Sequence, residues 1–271
     1  MTLEELWRAP GDDVAVVGGT ASHEPGEVRL SFLVVDAEGQ VVTLPTARVW
    51  VAQGLDAEPF LESSAKLERI GVPGGMEADA THIYVTRVRL PRPGTYWMLA
   101  EPEGGRKVQA LGNVVVAAKD TAPDIGDTAV ASETPTLAST GGDVLKLTTR
   151  TPPDESLLRY SIADSLRAKA PFVVTFSTPK FCSSRTCGPV VDVVEEVARR
   201  FEGGDIRFIH VEVYEDNDPA NPYNRWMQEW KLETEPWTFL VDRGGRIVER
   251  YEGVVSVSEL EQAVTDKLDA G

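Results

Sequence analysis

Two cysteines are all that this 271-residue chain contains, and they stand five positions apart, as Cys182 and Cys187 in "FCSSRTCGPVV". So close a pair excludes the disulfide framework of a small secreted domain and leaves a redox site, a metal site or a local staple. Positive charge is also scarce. Against 43 Asp and Glu there are 27 Lys and Arg, a net charge of −16, which opposes nucleic acid and anionic membrane as partners. No run approaches the roughly 18–20 apolar residues needed to cross a bilayer, so no transmembrane segment is expected. The opening "MTLEELWRAPGDD" has no charged stretch leading into an apolar one, so no signal peptide is expected. That start fits a cytoplasmic chain or one whose leader has been removed. There is no phosphate-binding glycine loop and no defensible Ser/His/Asp set, and no cofactor is expected.

What is present divides into two grammars. Over residues 1–118, "VRLSFLVVD" sets Val28, Leu30, Phe32 and Val34 against Arg29 and Ser31, the alternation of a half-buried strand. "ARVWVAQ", "THIYVTRVRL", "PGTYWMLAE" and "KVQALGNVVVAAK" repeat the pattern, punctuated by Glu38-Gly39, Pro73-Gly74-Gly75 and Pro93-Gly94. Short strands at this spacing predict an antiparallel sandwich. Residues 119–140 are rich in Thr, Ala, Ser, Pro and Asp without apolar period, and read as an interdomain linker.

Over residues 141–271 strands and helices alternate. "PFVVTFST" is a continuous apolar strand, expected to be buried on both faces. After the cysteines a helix is expected with Val190, Val194, Val197 and Phe201 on one stripe. "DIRFIHVEVY" reads as a second buried strand, and Tyr223, Trp226, Met227 and Trp230 as part of a second helix. A hairpin in "WTFLVDRGGRIVERYEG" follows, and then a closing helix with a Ser258/Glu261 capping box. Cys187 is expected at the N-cap of the first of these helices, where unpaired N–H groups and the dipole favour a thiolate. Arg185 adds positive charge two residues away, and Cys182 is near enough along the chain to bridge.

Two resemblances sharpen this. "PRPGTYWML" resembles the immunoglobulin-like turn into strand F, which implies a tyrosine corner at Tyr96; Met98 stands where antibody domains carry a cysteine. The order of elements in the second half is similar to the thioredoxin fold, with Cys187-Gly188-Pro189 matching the start of its Cys-Gly-Pro-Cys. "WKLETEPWTFLVDRGGRIVERYEG" looks like the TlpA-type branch. The expected fold class is therefore an all-β immunoglobulin-like sandwich followed by an α/β thioredoxin-like domain. The resemblance implies that Pro236 is a cis-proline, with Glu235, Trp237 and Arg185 beside a partner groove. It departs at Val190, where the family carries its second cysteine.

The implied activity is thiol–disulfide exchange with protein thiols or disulfides in the cell envelope, with Cys187 attacking and Cys182 resolving. The competing reading is a redox-silent binding or scaffold protein in which Cys182–Cys187 is a staple worth about 2 kcal/mol. The bacterioferritin-comigratory peroxiredoxins also use Cys-x4-Cys, but their Thr and Pro three and seven residues ahead of the first cysteine are replaced here by Pro179 and Thr175. Two thiolates and an imidazole suit Cu(I), but His210, the one histidine of this half, reads as a core residue, and the Cys-x3-Cys of copper chaperones of the thioredoxin fold is not matched. No metal site is expected. "YEDNDPANP" is acidic but lacks the spacing of a calcium loop.

Overall fold

The computed structural model describes residues 1–9, 11–75, 80–104, 108–181 and 189–269. The chain divides into two compact units, Met1–Arg69 with Ala80–Asp120, and Ile70–Asp79 with Thr121–Gly271.

The first unit holds seven strands: β1 (Asp12–Gly18), β2 (Gly26–Val35), β3 (Thr46–Ala52), β4 (Leu61–Arg69), β5 (His82–Leu90), β6 (Gly94–Glu103) and β7 (Val108–Val116). They close into a barrel in the order β1-β2-β5-β4-β3-β6-β7. Alternation decides what fills it. Val28, Leu30, Phe32 and Val34 of β2 meet Val49 and Val51 of β3, Tyr84 and Val88 of β5, and Tyr96 and Met98 of β6. A short helix, α1 (Leu3–Trp7), lays Leu3 over the outward residues Trp50, Ala52 and Leu99. Tyr96 makes the corner bond implied by its motif, its hydroxyl donating to the Arg92 carbonyl at 2.8 Å.

The closed barrel corrects the expected immunoglobulin-like sandwich. β1 pairs antiparallel with β2 and parallel with β7, Ala15 lying opposite both Val35 and Leu111, so the sheet returns on itself. Inward alternation is the same in a sandwich and in a small barrel, so the sequence pattern could not separate them.

The second unit is built on a four-stranded sheet in the order β11-β10-β8-β9, from β8 (Phe172–Phe176), β9 (Arg207–Val211), β10 (Trp237–Val241) and β11 (Ile247–Glu252). β8 and β9 are parallel and the other pairings antiparallel. Its helices are short: α2 (Ile162–Arg167), α3 (Val190–Arg200), α4 (Arg225–Glu229) and α5 (Val257–Val264). Phe172, Val174, Phe176 and Phe239 pack with Met227 and Trp230, while Val173 and Leu240 pack with Val194, Val197, Leu260 and Val264. Part of 121–140 packs here too, Ala122 and Ala129 joining the first of these cores. Tyr223, Trp226 and Trp230 flank or belong to α4, whose cap is Asn224, its side chain accepting from the Trp226 and Met227 amides.

The α/β thioredoxin-like, TlpA-type assignment is corrected together with the sandwich. With the seven-stranded barrel the chain is predominantly β, and its five α-helices among the described residues run only five to eleven residues. The local order of strand and helix signals reports the period of each segment and does not by itself fix the class of the whole. The last helix also begins earlier than expected: Ser256 caps it, with Glu259 closing the capping box, in place of Ser258 and Glu261.

Candidate functional site

Register brings three chain segments to one end of the second sheet. Phe176 at the end of β8 lies opposite Val211 of β9 and Trp237 of β10. The residues just beyond are therefore neighbours: Ser177 and Thr178, Glu212, and Glu235 with Pro236. The Glu235–Pro236 peptide is cis.

Glu235 Oε2 accepts a hydrogen bond from the Thr178 amide at 3.1 Å. Burial raises its carboxyl from 4.5 to about 7; the Thr178 bond opposes the rise and the charge of Glu212 adds to it. Glu212 is only 5% exposed. Its Oε1 accepts from the Thr149 amide at 2.6 Å and from the Thr149 hydroxyl at 2.7 Å. Its Oε2, the Ser177 hydroxyl and the Thr178 hydroxyl are buried without a hydrogen-bond partner among the described residues. His210 Nε2 lies 3.0 Å from the Ser177 carbonyl, which can only accept, so Nε2 carries the proton. Burial lowers the His210 pKa, which keeps the ring neutral at pH 7. This is a satisfied core histidine.

Tyr214 and Tyr223 pack ring to ring at 5.4 Å near this end. Burial first, and then the negative charge of Glu235 among lesser causes, pushes both phenols up.

Beside the carboxylates runs a buried ionic cluster. Arg150 reaches Asp192 Oδ1 with Nε at 2.9 Å and with Nη2 at 2.8 Å, and Glu195 Oε2 at 2.5 Å. The side chains of all three are less than a tenth exposed. Asp192 and Glu195 occupy the first two turns of α3. Gly75 lies against this pair: a Cβ there would stand 2.6 Å from Asp192 Oδ2.

Of the residues singled out in the sequence, Cys182, Arg185, Cys187 and Gly188 lie outside the described residues. No cysteine is among the described ones, so the expected disulfide and redox-active centre gain no support from the structure. Pro189 is the cap of α3, with the helix proper from Val190 to Arg200. This corrects the expected N-cap: position 187 falls two residues before it. Trp237 is corrected as well. It is 2% exposed, stacked on Phe239 at 5.4 Å, and so offers no contact surface. Glu235 and Pro236 do stand at the sheet end.

Sequence reasoning missed Glu212, Arg150 and Asp192. The signal for Glu212 was a carboxylate on the same face of its strand as His210 in "DIRFIHVEVY". For Asp192 it was an acid two residues inside an otherwise valine-rich helix start. Among the described residues no group of three or more His, Cys, Asp or Glu is placed to hold a metal, and no helix is long and apolar enough to cross a membrane.

No family model matches the chain, and no curated protein matches it. Among solved structures it is similar to a cycloisomaltooligosaccharide glucanotransferase from Paenibacillus sp., at 15% identity and a TM-score of 0.25, over 50% of this chain and 18% of that one. It is also similar to a provisionally assigned superoxide reductase from Thermotoga maritima, at 12% identity and a TM-score of 0.24, over 43% of this chain and 92% of that one. Neither similarity bears on the fold or activity of this chain.

Proposed function

We propose that the second unit carries out thiol–disulfide exchange through Cys187 and Cys182, with Glu235 as the proton-exchanging group. The supporting observation is the Glu235 carboxyl. Its pKa of about 7 lets it hold and release a proton at neutral pH, and it is bonded to Thr178, four residues before Cys182.

The Cys187 thiolate attacks a partner disulfide, forming a mixed disulfide and releasing the partner's other sulfur as a thiolate, which takes the Glu235 proton. The Cys182 thiol is deprotonated by the Glu235 carboxylate so formed, and its thiolate attacks Cys187. The Cys182–Cys187 bridge forms and the partner leaves with its second thiolate, protonated from water. Two electrons pass from the chain to the partner, and a partner dithiol drives the reverse. The partner class is protein thiols or disulfides. The compartment this favours is extracytoplasmic, where such a bridge persists.

The test is reduction of insulin or a peptide disulfide by the pre-reduced chain. Wild type should turn over and Cys187→Ser should not, while Cys182→Ser should trap the mixed disulfide. The wild-type to Glu235→Gln rate ratio should be on the order of a hundredfold below pH 6 and fall through pH 7. Unchanged reduction by Cys187→Ser would remove Cys187 from the attacking role, and a wild-type chain inert toward disulfides would favour a redox-silent binding or scaffold protein.

A further inference from the structure

Where α3 runs into β9, a cavity of about 420 Å³ lies between that connection and residues 154–160. Part of its lining is apolar. Ile206 and Phe208 are 8% and 6% exposed, and the Phe208 ring packs on Phe201 at 6.3 Å. Gly203 and Gly204 also border it, and a Cβ on Gly203 would meet nothing within 4 Å, so no side chain fills that side. The polar side chains are mostly donors. The Arg207 guanidinium lies over the Tyr160 ring, its Cζ 4.3 Å from the centroid, and its Nη1 donates to Ser165 Oγ at 3.3 Å. Its other side-chain N–H groups are uncommitted among the described residues, as are the Arg159 guanidinium and the hydroxyls of Tyr160 and Ser156. Arg199, the third arginine of the lining, is taken up by Glu195 and Glu196 of its own helix. Of the two acids, Asp154 accepts from the Ser156 amide at 2.8 Å, and the Glu202 carboxylate is unpaired among the described residues.

We infer that this cavity binds a small organic anion, its carboxylate or phosphate group held by Arg159 and Arg207 and its planar or apolar body set against Phe201, Phe208 and Tyr160. The inference is independent of the exchange reading, since it uses neither cysteine. Three physical points carry it. The volume falls in the range of small-molecule sites, roughly 300–1,000 Å³, and the lining has their character, apolar with a few polar groups. The charge is locally reversed. The chain as a whole carries −16, yet here two uncommitted guanidinium groups face one uncommitted carboxylate. At physiological salt the distant acids are screened beyond about 8 Å, so the near charges decide which ion enters. The third point is preparation. A guanidinium resting on an aromatic ring is already restrained, so less freedom is lost when its planar fork closes on a carboxylate or phosphate. The Tyr160 and Ser156 hydroxyls add donors suited to the same oxygens.

An amide NMR titration of the full chain tests this, with phenyl phosphate, benzoate, inorganic phosphate and benzylammonium as probes. Phenyl phosphate or benzoate should shift the Gly203 and Gly204 amides with a Kd of about 1 mM or tighter, and the tighter of the two identifies the anionic group. Inorganic phosphate lacks the apolar body and benzylammonium has the wrong sign, so each should bind about tenfold more weakly or worse. Arg159→Gln removes a side chain with no partner among the described residues, so it should fold as wild type and weaken the tighter probe about fivefold or more. Arg207→Gln should weaken it as well, and Glu202→Gln should tighten it. Gly203 and Gly204 amides unmoved by both organic anions at about 10 mM would overturn the site, as would a wild-type Kd in all three variants. Inorganic phosphate binding as tightly as phenyl phosphate would overturn the organic class, and benzylammonium matching the anions would overturn the sign.

Discussion

The Thr178 amide nitrogen stands 3.1 Å from Glu235 Oε2, a hydrogen bond across the ends of β8 and β10 that bears on the titrating carboxyl. A hydrogen bond to the charged form lowers a carboxyl pKa, yet Glu235 sits near 7, so burial outweighs it. Glu212, Tyr214 and Tyr223 are ionisable groups that interact with it. The consequence for stability has a definite sign. A carboxyl raised from 4.5 to about 7 binds more protons folded than unfolded between those values. Its favourable contribution is complete below 4.5 and is lost as pH rises through 7, by up to about 3 kcal/mol. Glu235→Gln should therefore be nearly neutral at pH 4 and stabilising at pH 8 when both proteins are unfolded in urea. Equal stability differences at the two pH values would show that Glu235 titrates as an ordinary carboxyl.

His23 carries the opposite dependence in the first unit. It is 7% exposed, and burial lowers its pKa from 6.5 to about 4; the Thr20 backbone bond and Asp120 oppose that shift, and Arg29 adds to it. A histidine that stays neutral in the fold binds fewer protons than in the unfolded chain between those values. Its contribution is complete above 6.5 and is lost as pH falls through 4, again by up to about 3 kcal/mol. The unfolding midpoint of the first unit should drop between pH 6.5 and 4 in wild type and stay flatter in His23→Gln, followed by a probe confined to that unit such as Trp50 or Trp97 fluorescence. Parallel slopes for the two proteins would contradict the assignment.

How much of this was readable beforehand follows from the range of each signal. Val28, Leu30, Phe32 and Val34 point inward as their alternation predicts, because a period of two is a property of one strand. Tyr96 meets Arg92 because both lie in one turn. The closure of the barrel was not legible, since β1 meets β7 across more than ninety residues and no local pattern encodes that pairing. Ser256 and Ser258 each precede a glutamate by three positions, so two capping boxes fit the sequence. The buried placement of Ser256, at 0% exposed, belongs to the one that forms. Trp237 was expected to face a partner, but β10 lies between β8 and β11, and all five of its residues are buried. Glu235 was named from its neighbour Pro236. Glu212 and Arg150 were not, because a buried charge looks like a surface charge until its partners, dozens of residues away, are placed against it.

Closure of the barrel can be tested at one contact. Gly112 of β7 lies where a Cβ would stand 2.7 Å from Val16 Cβ on β1, closer than packed side chains approach. Val16 and Gly112 follow Ala15 and Leu111, the last pair of the parallel register that closes the barrel. In Gly112→Ala the added methyl must push the two strands apart or turn Val16 out of its place against the core. Overpacking of this kind costs about 1–3 kcal/mol. Trimming the opposing side chain should return much of that, so Val16→Ala combined with Gly112→Ala should be more stable than Gly112→Ala alone. Hydrogen exchange locates the effect: amides of β1 and β7 should lose protection in Gly112→Ala ahead of those in β3 and β4. Full stability in Gly112→Ala would mean that β1 does not sit against β7 in solution, and the sheet would then be open along that seam.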